Sequence, residues 1–375
     1  MKVDCVELLR LSLPFRETFS SSVSTQSTKE FYLLKIYSGE YVGYGESGTT
    51  NDAFYVEETN CSLRYQLDNF LLPMLFEREL ETPSDFVSIA SKVRRNYMAK
   101  AVVESALWDL FSKAERVPLW RKIGGVRKRI DAGISIGVQA TWEDLFDKVA
   151  QAQIEGYRRV KMKIEPGKDY EWIRRIRQSF PEMPLMVDAN GAYSPSDIDE
   201  LCRFDELDLM MIEQPFGVYD LLGHAALARK MKTPLCLDES ICSLEDLEVV
   251  MTLKAASVVN LKVARVGGVS EAISIEKFCR ENGLSLWCGG LYEAGVGRAL
   301  NLAVASLPGV DLPGDTSPSK RYFVRDILKD DIDFVEPGVL VLSESSGLGI
   351  DLDDLFIEQI ALERSIYTKT SMALD

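Results

Sequence analysis

The 375-residue sequence predicts an α/β protein whose main body is a barrel of parallel strands, with an α+β part beside it. Two observations lead there. Between about residues 130 and 315, short apolar runs alternate with helix-like segments, and five consecutive runs carry an ionisable residue at an equivalent place.

The runs are DAGISIG, RRVKMKI, PLMVDAN, LMMIEQP, PLCLDES, SVVNLKV, LSLWCGG and GVDLPGD. Most are nearly continuous in hydrophobicity, as strands are when helices cover both faces of a parallel sheet. The segments between them carry helix signals. In SPSDIDEL, Ser194 is placed to cap, Pro195 to occupy the first helical position and Asp197 to meet the N-terminal dipole. YEWIRRIRQSF puts Trp172, Ile173, Ile176 and Phe180 on one face, and Asn282-Gly283 supplies a stop after VSEAISIEKFCRENG.

The first 125 residues read differently. Strand-like FYLLKIYSGEYVGYGES is followed by helical AKAVVESALWDLFSKAERVPLWRKIGG, the order of an α+β domain. After Asp315 the βα rhythm is lost, and the strand-like GVLVLS is expected to return to the first part. No low-complexity linker separates the two parts, so they are expected to pack together.

Composition removes several classes. A formal charge of -15, a pI near 4.8 and no basic block argue against nucleic acid as a partner. The N-terminal MKVDCVELLRLSLPF is interrupted by an acid and an arginine, so it makes neither a signal peptide nor a membrane span, and the protein is expected in the cytoplasm. Seven cysteines at 5, 61, 202, 236, 242, 279 and 288, without a C-x-x-C pair, read as thiols of a reducing compartment. His224 is the only histidine, which excludes H-E-x-x-H zinc sites, Ser-His-Asp triads and Cys-His pairs. On its helix it is expected to be exposed or partly packed. Acid-base chemistry therefore falls to lysine, carboxylate, tyrosine or cysteine.

Lys163, Asp188, Glu213, Asp238 and Lys262 follow one another at intervals of 25, 25, 25 and 24 residues, one strand plus one helix each time. A barrel brings such strand ends to one mouth, whereas an open sheet would spread them along a line. Three carboxylates about 4 Å apart repel by roughly 4 kcal/mol per pair at an effective dielectric of 20. Such a cluster calls for a cation, and donors that are all oxygen favour a hard ion, Mg²⁺ or Mn²⁺. One acid at a strand end means little, because Asp and Glu are common in exposed loops. Five ionisable residues at nearly constant spacing have no such explanation.

In VKMKIEPG, Lys161 and Lys163 share one face of a strand and Met162 takes the other. Lys161 beside Lys163, and Arg265 beside Lys262, would drive a neighbouring lysine toward its neutral, basic form. A salt bridge from Lys161 to a nearby acid is compatible with this. The chemistry permitted is abstraction of a proton α to a carboxylate, with a metal stabilising the enolate. Two bases on opposite faces permit racemisation, and one base plus a leaving group permits β-elimination. A Schiff-base aldolase would use a barrel lysine but leave three aligned acids unexplained.

The motifs KMK, DAN, IEQP, LDES, NLKVARVGG and GGLYEAGVGRA, with ALWDLFSKAERVPLWRKIGG before them, resemble the muconate-lactonizing subgroup of the enolase superfamily. Within it, RVGG after Lys262, GGLYEAGVGRALNLAVASLPG and GDTSPS are most similar to the o-succinylbenzoate synthase and N-succinylamino acid racemase family. The resemblance implies a modified TIM barrel, (β/α)7β, over residues 126–315, under an α+β capping domain of residues 1–125 completed by 316–375. It implies Lys163 as base and acid, Lys262 as the opposite lysine, and Asp188, Glu213 and Asp238 as ligands of Mg²⁺. It also implies a small anionic carboxylate as substrate, with a homo-oligomer left open.

In the synthase reaction of that family, 2-succinyl-6-hydroxy-2,4-cyclohexadiene-1-carboxylate loses its α-proton and then hydroxide, on the route to menaquinone. In the racemase reaction both lysines exchange protons with an N-succinylamino acid. A muconate cycloisomerase would use the same barrel residues. A dipeptide epimerase is disfavoured because GDTSP stands where D-x-D is expected, and a non-catalytic metal-binding barrel because all five residues are present. Asn190 and Glu239 adjoin the ligands and are expected to orient them or the base. Ser135, Gly290 and Leu291 are expected at the mouth, touching substrate or packing. FRETFSSSVSTQ and GESGTTNDAF are expected to be loops that close over the site.

Overall fold

Alternation along the first strand gives the smaller part of the molecule two apolar faces. In β1 (Cys5–Ser20), Val6 and Leu8 point into a cluster under helices, while Leu9, Leu11 and Leu13 point into the core shared with the barrel. β1 pairs antiparallel with β2 (Thr25–Ser38), which pairs with β3 (Tyr41–Glu46). The chain is described by a computed structural model over residues 1–20, 25–167 and 169–372. Of FRETFSSSVSTQ, expected as a loop, residues 15–20 belong to β1 and 25–26 to β2, and residues 21–24 lie outside the described ones.

The helix Tyr97–Ala114 lies almost against β3. Only glycine permits this approach, since a Cβ at Gly43 or Gly45 would stand 2.1 Å from the carbonyl oxygen of Ala106 or Val102.

The larger part is preceded by the short β4 (Arg129–Asp131). It is a parallel sheet of β5 (Gly133–Ile136), β6 (Arg159–Lys163), β7 (Leu185–Asp188), β8 (Ile212–Glu213), β9 (Leu235–Leu237), β10 (Val258–Leu261) and β11 (Ser285–Cys288), in sequence order. Residues facing outward, such as Val160, Met162 and Val187, pack under the surrounding helices.

GVDLPGD, expected as an eighth strand, is not one. It closes the ring through single bridges, Val310 to Leu286 and Gly314 to Ala132, with Gly133 N–H donating to Gly314 O at 2.7 Å and Asp315 N–H to Cys288 O at 3.0 Å. Pro313 has no N–H to continue a ladder, which limits the pairing. GVLVLS also departs from expectation. As β12 (Val339–Val341) it pairs antiparallel with β4 at the N-terminal end of the barrel, where Leu340 meets Ile130 and both are buried. The strand that does return is β13 (Ala361–Thr368), antiparallel to β1, which completes the sheet in the order β13-β1-β2-β3.

The helix signals hold. Pro195–Asp197 is a tight turn leading into the helix Ile198–Leu201, with Ser194 N–H donating to Asp197 Oδ2 at 2.8 Å. In the helix Asp169–Ser179, Ile173 and Ile176 are buried, with Phe180 just beyond. Gly283, with φ 70°, ends the helix Val269–Asn282. His224 is the exception, being fully buried rather than exposed. Phe216 N–H donates to its Nε2 at 3.2 Å, so Nδ1 carries the proton and donates to Asp220 O at 2.7 Å. With both nitrogens satisfied and its ring 5.2 Å from that of Phe216, burial costs the imidazole little.

Two carboxylates from the first part fasten it to barrel helices. Glu104 accepts from Val269 N–H at 2.7 Å, Ser270 N–H at 2.9 Å and Trp108 Nε1 at 2.7 Å. Glu46, paired with Lys29 at 2.8 Å, accepts from Ala294 N–H at 2.6 Å and Gly297 N–H at 2.8 Å. Both use the unpaired N–H groups and positive end of a helix N-terminus. Among the described residues, no helix is long and apolar enough to cross a membrane.

Candidate active site

Strand parity turns three cations of β6 inward: Arg159, Lys161 and Lys163. Lys163 Nζ donates to Asp188 Oδ2 at 2.6 Å and also to Asn190 Oδ1. On the far side of the three acid-bearing strands, Lys262 Nζ donates to Asp238 Oδ2 at 2.8 Å. Between them, Lys161 Nζ stands 3.0 Å from Glu213 Oε2 and 3.4 Å from Asp188 Oδ2. The five positions at near-constant spacing thus meet in one buried network.

The remaining expected residues surround it. Asn190 Nδ2 donates to Glu239 Oε1 at 2.9 Å, so one amide joins Lys163 to that acid. Asn190 (φ 43°) and Gln214 (φ 39°) both adopt left-handed backbone just beyond a strand end. Gln214 is held there through Oε1, which accepts from Asp238 N–H at 3.0 Å. Arg265 binds Asp238 Oδ1 and is anchored by Ile241 O at 2.9 Å and Asn260 O at 2.8 Å. Ser135, Gly290 and Leu291 line the cavity above the lysines, with Phe15, Tyr292 and Tyr322 forming an aromatic wall.

Four residues of the network were missed by sequence reasoning. Asp315 takes Lys161 Nζ at 2.7 Å and Arg159 at 2.6 Å. Arg159 Cζ and Lys161 Nζ lie 4.5 and 4.8 Å from the centre of the Trp287 ring. Asn260 Nδ2 donates to Glu213 Oε1 at 2.5 Å. Tyr55, from GESGTTNDAFY, donates to Asp238 Oδ2 at 2.9 Å and accepts from Lys262 Nζ at 2.5 Å. Arg159 and Asn260 were legible by parity, two residues before Lys161 and Lys262. Tyr55 and Asp315 had no periodic signal.

Electrostatics follow from this packing. Burial, with Asp188 and Asp238 nearby, pushes Glu213 up to about 8, and burial beside Asp238 pushes Glu239 up to about 7. Burial alone would raise Asp238 too, but Arg265 and Lys262 hold it well below the usual carboxylate range. Burial disfavours the charge on Lys262, yet Asp238 outweighs it and holds the ammonium form. For Lys161 the same contest is won by Asp315, Glu213 and Asp188.

Comparison with known proteins agrees with this arrangement. Residues 6–124 match the family "Mandelate racemase / muconate lactonizing enzyme, N-terminal domain", and residues 144–355 match "Enolase C-terminal domain-like". The chain belongs to the enolase superfamily. It lies in the branch that holds o-succinylbenzoate synthases and N-succinylamino acid racemases. It is 40% identical to the o-succinylbenzoate synthase of Geobacillus kaustophilus, over 100% of both chains. It is also 40% identical to the N-succinylamino acid racemase of Thermus thermophilus, over 96% of this chain and 98% of that one. A solved enolase-superfamily structure from Listeria innocua superposes with a TM-score of 0.96 at 38% identity, covering 98% of this chain and 100% of that one.

The divalent ion associated with this superfamily can be tested against the residues present. Among the described residues, no three His, Cys, Asp or Glu side chains are grouped so as to hold an ion, and lysine and arginine groups lie against the acid oxygens. The donor set nevertheless suits a hard cation. Asp188, Glu213 and Asp238 are all-oxygen donors, burial and then the neighbouring Asp188 and Asp238 raise Glu213, and Glu239 Oε2 is buried without a partner among the described residues.

Proposed function

We propose that this enolase-superfamily protein is an o-succinylbenzoate synthase, dehydrating 2-succinyl-6-hydroxy-2,4-cyclohexadiene-1-carboxylate with Lys163 as base and then acid. The observation that carries this reading is the pair Lys163 and Lys262, which reach one cavity from opposite flanks of the strands bearing Asp188, Glu213 and Asp238. Those three acids would hold Mg²⁺, or Mn²⁺ in its place. Bound there, the ion would supply positive charge to offset the charge growing on the substrate carboxylate as its α-proton leaves.

The residues of the chain do the rest. Lys163 Nζ takes the α-proton, the ring electrons expel hydroxide from the neighbouring carbon, and Lys163 returns the proton so that water departs. Lys262, held as ammonium by Asp238, faces the developing negative charge from the other side. Phe15, Tyr292 and Tyr322 enclose the ring and exclude water. We take residues 126–315 as the catalytic barrel, and 1–125 with 316–375 as its cap. Seven free thiols fit a reducing compartment, and we assign the reaction to the cytoplasm.

A second reading is favoured by the lysine pair itself: racemisation of N-succinylamino acids, in which Lys163 and Lys262 exchange protons on opposite faces of the α-carbon. The racemase from Thermus thermophilus supports it equally by identity. Side-by-side measurement of kcat/KM with both substrates in Mg²⁺ separates them. The synthase reading expects dehydration to exceed racemisation by at least about tenfold, a gap of about 1.4 kcal/mol in transition-state stabilisation. The reverse ratio makes the protein a racemase, and turnover of neither substrate removes both readings.

A further inference from the structure

Lys161 is caught between four neighbours. Its ammonium lies 2.7 Å from Asp315, 3.0 Å from Glu213 and 3.4 Å from Asp188, over the face of Trp287. Two of these carboxylates are the acids to which a metal is assigned above. The shortest contact is to the third, Asp315, which comes from the segment that closes the barrel in place of an eighth strand. Asp315 is itself fixed from behind, because fully buried Arg159 holds its other oxygen at 2.6 Å and spans to Pro313 O at 2.9 Å.

An ammonium and a divalent ion compete for the same carboxylate oxygens. Whatever draws Lys161 toward Asp315 therefore leaves Glu213 and Asp188 more available to a metal. We infer that Asp315, braced by Arg159, is a positioning residue that retains Lys161 and so sets the affinity of Asp188 and Glu213 for a divalent cation. This rests on the metal reading of the site given above. Replacing the Asp315 charge leaves Lys161 only Glu213 and Asp188 as anionic partners, and it then occupies the oxygens the ion needs. Arg159 holds Asp315 in place, its other contacts being to Pro313 O, Met186 Sδ and the face of Trp287 that it shares with Lys161.

Mn²⁺ titration followed by the EPR signal of the free ion, without substrate, tests this. Asp315→Asn is expected to weaken Mn²⁺ binding at least tenfold in the otherwise unchanged chain, and by less than twofold when Lys161 is already Met. Lys161→Met alone, which leaves the Arg159–Asp315 pair intact, is expected to bind Mn²⁺ at least as tightly as the parent. Because that variant keeps the buried pair, it tests the inference even where Asp315→Asn does not fold. Binding by Asp315→Asn within twofold of the parent, an equal loss in both backgrounds, or weaker binding by Lys161→Met overturns the inference. No Mn²⁺ binding by the parent chain is a different result: it removes the metal reading itself.

Discussion

Tyr55 Oη stands 2.5 Å from Lys262 Nζ, although 207 positions separate them in sequence. One residue comes from a loop of the first part and the other from the end of a barrel strand, so their contact exists only when the two parts are docked. The same hydroxyl donates to Asp238 at 2.9 Å and lies 3.2 Å from Arg265. Tyr55 therefore fixes the second lysine from above while Asp238 fixes it from the side.

Tyr55→Phe removes the hydroxyl and keeps the ring. A hydrogen bond to a charged group contributes about 1.5–3 kcal/mol, so proton exchange through Lys262 is expected to slow roughly tenfold or more. Exchange through Lys163, which Tyr55 does not touch, is expected to stay within about twofold. Deuterium incorporation from each face of an N-succinylamino acid measures both; equal slowing on the two faces would show that Tyr55 acts only on docking.

Docking itself rests heavily on Glu104. Glu104→Ala strands the N–H groups of Val269 and Ser270 and leaves the indole of Trp108 only its longer contact to Ser270 Oγ at 3.1 Å. Loss of a helix cap together with buried donors is expected to cost about 3 kcal/mol. Urea unfolding should show it as a lower midpoint, and an unchanged midpoint would mean that water replaces the carboxylate at no cost.

His224 offers a pH prediction with a single probe. Burial lowers its pKa, and both nitrogens are already used in the neutral form. The unfolded chain thus binds a proton near pH 6.5 that the folded chain refuses. The sign follows: this contribution is complete above about pH 6.5 and is lost as pH falls below it. As the only histidine, it gives one set of imidazole signals in an NMR titration, with a midpoint expected below that of a free imidazole. A midpoint at or above 6.5 contradicts the placement.

Much of the site was legible because the βα repeat converts spatial convergence into regular spacing. Lys163, Asp188, Glu213, Asp238 and Lys262 could be found without coordinates for that reason. Asp315 lies where the repeat ends in bridges rather than a strand, and Tyr55 lies outside the repeat altogether, so neither carried that signal. GVLVLS is strand-like in sequence and in structure, but apolar alternation does not say which edge a strand will join; Ile130 and Leu340 decide it by mutual burial. His224 departs from expectation because residue type predicts exposure only on average, whereas Phe216 N–H and Asp220 O supply it with specific partners.

The central claim is that Lys163 and Lys262 face one α-carbon from opposite sides, and stereochemically resolved exchange tests it most directly. Each enantiomer of an N-succinylamino acid is incubated with Mg²⁺ in deuterated water and the parent chain, Lys163→Ala or Lys262→Ala, and loss of the α-hydrogen is followed by NMR. Each variant is expected to lose exchange with one enantiomer by at least about 100-fold and to retain it with the other, in opposite senses. Silencing of the same enantiomer by both variants, or undiminished exchange in either, would contradict the placement of two opposed bases around a common carbon.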